Sequence, residues 1–364
     1  PTGMVNADVT VRREVAGGPV EVRGILDLTG GSAAFERFPY RFTNMTARAE
    51  FDQDGLRLTN ITGEAAGGVR LTASADISPL TDDAGVDIKV KVTGLPVDHV
   101  LHTAMRSRGK LIDELFDLNA YTRLLEQGLV LSPARERELR ARAEVLRASS
   151  DPTPQAELET ILALLDRPVF QPGGAATVTV GVQRRIGPES IWFDQVHVHF
   201  EQVDLLPRAF PYPLRGRDVT LAKIDYEASV SGGEYQGLTG ASARIGAKLD
   251  LEKFDAPGVP FVPDVEIVAT GVPADELLYF AIPEAEGLSP DGRPLRDVIR
   301  RLGLDGKGDA DARVFQLESG EPGYSIRVNT AGMTVTPDNR REPGHLILSE
   351  LRGGLDIRHD GLDF

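Results

Sequence analysis

The chain has 364 residues, a formal net charge of -15 and no cysteine. Its length suits two or three domains, or one extended repetitive body with a sizeable buried core. The acidic balance, without a basic stripe, speaks against a nucleic-acid partner and against passive attraction to anionic lipid, and the missing cysteines exclude disulfides, thiolate zinc sites and a cysteine nucleophile.

The first elements follow from alternation with a period of two. Val20, Val22, Gly24, Leu26 and Leu28 alternate with polar or small residues, as do Val69, Leu71, Ala73, Ala75 and Ile77, and then Val86, Ile88, Val90 and Val92. Such runs predict half-buried strands with one apolar and one wet face. Gly30-Gly31, Asp54-Gly55 and Gly67-Gly68 between them supply the positive φ angles of hairpin turns. Asn44-Met45-Thr46 and Asn60-Ile61-Thr62 match glycosylation sequons, but such tripeptides arise readily by chance and are read as strand or turn.

From Asp98 to about Arg167 the pattern turns helical. Leu111, Ile112, Leu115, Phe116 and Leu118, then Tyr121, Leu124 and Leu125, fall at three- and four-residue spacing. Ser132-Pro133 and Thr153-Pro154 each combine an N-cap with a first-turn proline, so two further helices follow, the first strongly charged and solvated.

The strand pattern then returns in the same order. It runs through Val178, Val180 and Val182, then Ile191 and Phe193, and Val196, Val198 and Phe200. It continues with Ala243, Ile245, Ala247, Leu249 and Leu251, and ends with Val265, Ile267 and Ala269. Phe38-Pro39-Tyr40 recurs as Phe210-Pro211-Tyr212, Ile61-Thr62-Gly63 as Leu238-Thr239-Gly240, and Thr93-Gly94-Leu95-Pro96-Val97-Asp98 as Thr270-Gly271-Val272-Pro273-Ala274-Asp275. Recurrence in order marks a tandem of one β-rich unit. In the hexapeptide, Thr and Gly are expected to close a strand, Pro to block its continuation, and Asp98 or Asp275 to cap the next helix. A short helix is expected to end at Pro283, and a second to run from Pro294 to Leu302 and stop at Gly303.

A third unit begins near Gly308 with Ala310, Ala312 and Val314, and breaks off near Ile357-Arg358-His359-Asp360-Gly361-Leu362, the counterpart of Phe51 to Leu56. Pro1 and Phe364 thus read as the ends of an excised piece. No apolar run approaches the ~18 residues needed to span a bilayer, and no signal peptide is present. The expected divisions are a first β-unit at 1–98, a helical insertion at 99–170, a second β-unit at 171–275, a short helical connection at 276–303 and a third, truncated β-unit at 304–364.

Few residues suggest reaction chemistry. His197 and His199 share one strand face and could ligate a metal, but no second pair of ligands stands out and the apolar Val196, Val198 and Phe200 occupy the other face. Asp305 to Asp311 departs from the spacing of a calcium loop, and Asp52-x-Asp54-Gly55 reads as a turn. No nucleophile elbow, phosphate loop or His-Glu-x-x-His occurs. The expectation is a non-catalytic protein without cofactor or metal.

That leaves the apolar face. Strands of about seven residues run roughly 23 Å, close to the length of an extended acyl chain. A long sheet curled on itself presents a trough able to hold such a chain at ~0.8 kcal/mol per buried CH₂. The alternative is that helices or a second sheet fill it as an ordinary core, and periodicity alone does not separate the two.

The pattern as a whole resembles the AsmA-like superfamily of bacterial envelope β-repeat proteins, which includes TamB-like and YhdP-like bridge proteins. The resemblance is carried by Phe38-Pro39-Tyr40, Asp54-Gly55-Leu56, Leu58 to Gly63, Gly68-Val69 and Thr93 to Asp98 leading into Val100-Leu101, and most of it repeats at Phe210 to Tyr212, Leu238 to Gly240 and Thr270 to Leu278. It implies a mainly β fold with tandem units rolled into a taco-like antiparallel sheet around an apolar interior. It also implies phospholipid transport or outer-membrane assembly in the periplasm, with anchorage to the inner membrane by a segment outside these residues and envelope membrane proteins as partners. The helical insertion at 99–170 departs from that pattern.

The leading expectation is therefore a groove for phospholipid acyl chains, lined by Val69, Leu71, Ile77, Ile88, Val90, Val92, Val196, Val198, Phe200, Ile245, Leu249 and Ile267. The alternative is a structural or adhesive repeat protein, periplasmic or extracellular, with a packed core and protein partners.

Overall fold

The computed structural model describes residues 2–35, 38–105, 110–148, 155–186, 192–208, 210–250, 264–282, 295–317, 322–336, 347–358 and 361–363. Ile191, Leu251, Thr153-Pro154, Pro283, Pro294 and His359-Asp360, as well as Pro1 and Phe364, lie outside them. Alternating residues of the first unit form β1 (Thr2–Arg13), β2 (Val20–Phe35), β3 (Phe38–Phe51), β4 (Leu56–Ala65), β5 (Val69–Ser78) and β6 (Gly85–Pro96). The second unit contributes β7 (Gly173–Arg184), β8 (Trp192–Leu205), β9 (Leu214–Ile224), β10 (Glu227–Gly237), β11 (Ser242–Asp250) and β12 (Asp264–Pro273). The third contributes β13 (Leu304–Asp305), β14 (Lys307–Gln316), β15 (Pro322–Val335), β16 (Leu348–Arg358) and β17 (Gly361–Asp363).

All 17 strands belong to one open antiparallel sheet, rolled rather than closed. From β1 to β12 each strand pairs with the next in sequence, β12 pairs with β14, and the meander runs on to β17, while β13 continues the line of β14 against β15. At ~4.8 Å between strands the sheet extends roughly 70 Å.

The helices leave the sheet unbroken. Helices α1 (His99–Met105), α2 (Lys110–Leu115), α3 (Leu118–Glu126), α4 (Pro133–Ala148) and α5 (Gln155–Leu165) lie between β6 and β7 in sequence, yet those two strands pair directly from Val86↔Arg184 to Pro96↔Ala175. Helices α6 (Glu276–Ala281) and α7 (Leu295–Leu302) are likewise inserted between the paired β12 and β14. The apolar run expected from Leu111 to Leu125 divides at Asp117, whose carboxylate accepts from the backbone N–H groups of Asn119 and Ala120 and starts α3. Ser132 Oγ accepts from the Arg135 N–H at the start of α4, and Gly303, at φ 55°, ends α7.

The repeated hexapeptide behaves differently from its expectation in one respect. Thr93-Gly94 does not close its strand. Gly94 sits at φ 72° in a bulge, and β6 continues through Leu95 and Pro96. Gly271 does the same at φ 64° in β12. The caps are as expected: Asp98 accepts from the N–H groups of Val100 and Leu101, and Asp275 from that of Leu278. Gly30-Gly31, expected as a turn, is also a bulge, inside the 16-residue β2. Asp54-Gly55 and Gly67-Gly68 do make hairpin turns, the latter with the expected positive φ at both glycines and the former without it.

These bulges belong to a set that recurs between units. Asn44 in β3 and Asn60 in β4, the two sequon asparagines, sit at φ 50°, and Asp218 in β9 and Gly232 in β10 hold the same left-handed conformation in the second unit. Gly332 in β15 and Glu350 in β16 do so in the third. All but Asp218, whose strand keeps continuous register with β8 and β10, lie at a shift of register against a neighbouring strand, and the extra residue of such a bulge bends the strand and raises its twist. Together they crease the sheet near one end of its strands.

Candidate functional site

Strand register assigns every residue to a face. Leu71 lies opposite Val92, Ala73 opposite Val90 and Ala75 opposite Ile88; Val90 then faces Val180, which faces Val196. One continuous apolar face runs along the sheet. The reverse face is wet and carries cross-strand ion pairs, with Arg313 bidentate to Asp264 and Arg327 bidentate to Asp356 at 2.8–3.1 Å. These hydrogen bonds hold the carboxyls of Asp264 and Asp356 below the ordinary carboxylate range.

Burial on the apolar face is graded along the strands, and the crease divides it. At one end helices roof the sheet. Leu101 and Ala104 of α1 pack on Tyr40, Phe42, Val69, Leu71, Val92 and Leu95. Residues of α2, α3 and α6, among them Ala120, Leu124, Leu277 and Phe280, pack with Phe200, Val203, Leu214, Val219 and Tyr235. This end is dry: burial pushes the Tyr235 phenol up to about 12, and among the described residues its hydroxyl has no hydrogen-bond partner. Desolvation also raises the Asp204 carboxyl, against the pull of Arg215. Helices α4 and α5 form a satellite hairpin around Leu139, Ala143, Leu146 and Ile161.

Toward the other end no described helix covers the sheet. Val86, Ile88, Val90, Val180, Val182 and Val196 are half-buried side by side, and Ile77 beside them likewise. The hairpins along this open rim carry solvent-facing apolar tips, with Val15 70%, Leu80 51%, Ile186 68% and Tyr226 66% exposed. At the start of the sheet the apolar row of β1 is open as well, with Val5, Val9 and Val11 all exposed.

The groove candidates therefore fall into three sets, with Leu249 apart. Val69, Leu71, Val92 and Phe200 are buried under helices as part of the packed floor. Ile77, Ile88 and Val196 line the open part, while Val90, Val198, Ile245 and Ile267 are half-buried at the boundary and touch the packed clusters. Leu249 pairs with Ala228 on the same face, but its side chain lies outside the described residues.

Sequence reasoning passed over two inward residues, Asp194 of β8 and Lys223 of β9. Asp194 is in phase with Val196 and Val198, and Lys223 with Val219 and Leu221, so their parity carried the signal. The Lys223 ammonium donates to Asp194 Oδ2, with the two side chains 15% and 42% exposed.

His197 and His199 face outward. His199 Nδ1 lies 3.4 Å from Thr220 Oγ1, and its Nε2 lies 4.0 Å from Asp218. No group of three His, Asp or Glu side chains suited to a metal occurs among the described residues, and no helix among them is long and apolar enough to cross a membrane. Comparison with protein-family models, with curated proteins and with solved structures finds no match.

Proposed function

We propose that this chain is a non-catalytic lipid trough of the bacterial envelope, of the kind its resemblance to AsmA-like proteins implies, holding phospholipid acyl chains against the inner face of the rolled sheet. Lipid moves along such a trough by exchange of apolar contact, and no bond is made or broken. Phospholipid transport or outer-membrane assembly in the periplasm, with envelope membrane proteins as partners, is the role that follows.

The observation that carries the reading is that Ile77, Val86, Ile88, Val180, Val182 and Val196 are only half-buried, side by side, on a stretch that no described helix roofs. Contiguous apolar surface left open to water marks an interaction site, whereas a structural rod with a packed core buries such a stretch. The trough runs across paired strands past both helical insertions, as continuous passage of a chain requires. Mass spectrometry of an organic extract of the purified protein tests this. Phospholipid at about one molecule or more per chain is expected, and a lipid-free extract from protein purified without detergent overturns the reading.

A further inference from the structure

The internal repeat presents one pair of rim positions three times. In the first unit they are Val22 of β2, opposite Val11, and Phe51 of β3, opposite Gly24. In the second they are Asp194, opposite Val182, and Lys223, opposite Val196. In the third they are Tyr324 of β15, opposite Val314, and Ile357 of β16, opposite Ile326. Two units fill the positions without charge, so the rolled sheet does not need an ion pair there. Nor does the pair recommend itself for stability, because apolar residues of similar size often do as well or better where charges lose water.

An amphiphile in this trough has one sensible orientation. Its chains lie toward the dry, helix-roofed end and its head at the open rim, where Asp194 and Lys223 stand. We propose that these two residues bind the head of a zwitterionic phospholipid bearing a primary ammonium, as in a phosphoethanolamine head. The proposal rests on the lipid-trough reading. The Lys223 ammonium donates to the phosphodiester oxygens, and the Asp194 carboxylate accepts from the head ammonium, so each charge of the ion pair exchanges one partner for another of the same sign. A purely anionic head leaves Asp194 facing like charge, and a quaternary ammonium has no N–H to offer it. Arg184, in register with Trp192 at the same rim, donates from Nη2 to the Asp82 carbonyl at 2.8 Å and ties the adjoining hairpin in place.

The test incubates the 364-residue chain with vesicles of equal parts phosphatidylethanolamine, phosphatidylglycerol and phosphatidylcholine, re-isolates the protein and measures bound lipid by mass spectrometry. The ethanolamine lipid is expected to be enriched at least about threefold over each of the others, a modest differential affinity. In Asp194→Asn the glycerol lipid should rise to parity. The double variant Asp194→Val, Lys223→Phe carries the first unit's residues and should keep total lipid while losing the preference. Bound lipid matching the vesicles, or a wild-type preference for either other head, overturns the head site while leaving the trough standing. No bound lipid in any arm overturns the trough itself, and the site with it.

Discussion

Aspartate substituted for Ile88 and aspartate substituted for Leu71 should separate trough from core. Ile88 is half-buried between Ala75 and Val182 on the unroofed stretch, whereas Leu71 is 9% exposed and packed in the cluster under α1. A sixteen-carbon acyl chain wholly removed from water gains ~13 kcal/mol at ~0.8 kcal/mol per CH₂; lying in an open trough with one side covered, it gains about half, before ordering costs. A carboxylate beneath it loses part of its hydration, about 3 kcal/mol of the several that full burial costs, and retention weakens about a hundredfold. Without lipid, the carboxylate introduced by Ile88→Asp would keep its water, so this variant should lose only about 1–2 kcal/mol of stability. Leu71→Asp places an unpaired charge in a packed floor and should cost about 4 kcal/mol or more, a large part of a typical folding free energy. Thermal unfolding and phospholipid per chain, measured on both variants, decide the matter. If Ile88→Asp destabilises as severely as Leu71→Asp, the stretch is core; if it keeps its lipid, the stretch is not the binding surface.

Other expectations follow from single features. Gly94, at φ 72°, would place an added Cβ near only the Gly68 carbonyl at 3.6 Å, so Gly94→Val should lower stability by about 1–2 kcal/mol through conformation alone. Gly94→Asn should cost much less, since Asn44 and Asn60 already hold φ 50°; denaturant midpoints compare the two. Tyr235→Phe removes a buried hydroxyl without a partner among the described residues and should be neutral or stabilising by about 1 kcal/mol in the same assay. Hydrogen bonds from Arg142, Arg313 and Arg327 hold Glu157, Asp264 and Asp356 below the ordinary carboxylate range. Their folded values lie below the unfolded ones, so this stabilisation is present above the usual carboxylate range near ~4 and is lost as pH falls through and below it. Being exposed, the pairs should weaken further in salt, and a thermal midpoint unchanged between pH 6 and pH 3 would contradict the assignment.

The strands were legible where one face is wet and the other apolar without interruption, as in β5, β7 and the stretches of β6 and β12 that precede their bulge glycines. Those crossed by a bulge were harder to see because each bulge shifts the phase of alternation by one residue. In β3 the inward row runs Tyr40, Phe42, then Met45 and Ala47 after Asn44; in β9 it runs Leu214, Gly216, then Val219, Leu221 and Lys223 after Asp218. The same slip hid Lys223. Local chemistry announced a positive φ at Gly30 but not whether the chain reverses there, which is decided by a partner strand such as the one that sets Ala33 opposite Phe42. Division of the apolar face into roofed and open parts depends on where α1, α2, α3 and α6 land, and no periodicity along a strand reports that.

The hexapeptide explains why the roof has one side. In β6 and β12 the bulge glycine bends the last turn of strand, Pro96 or Pro273 ends the ladder, and Asp98 or Asp275 caps a helix that starts beside the strand's end. The chain thus leaves the sheet at the same end both times, and the next unit returns by pairing with the strand just completed. Because the meander alternates direction, the hairpins β1–β2, β5–β6, β7–β8 and β9–β10 all fall at the opposite end, where no cap motif directs a helix. Helices can therefore accumulate along one rim without entering the ladder, and the length of an insertion is free to vary while the apolar face stays continuous. Among the described residues this arrangement yields an apolar face that is roofed by helices along one side and not along the other, and on the lipid reading proposed above that asymmetry would set the polarity of an amphiphile lying there.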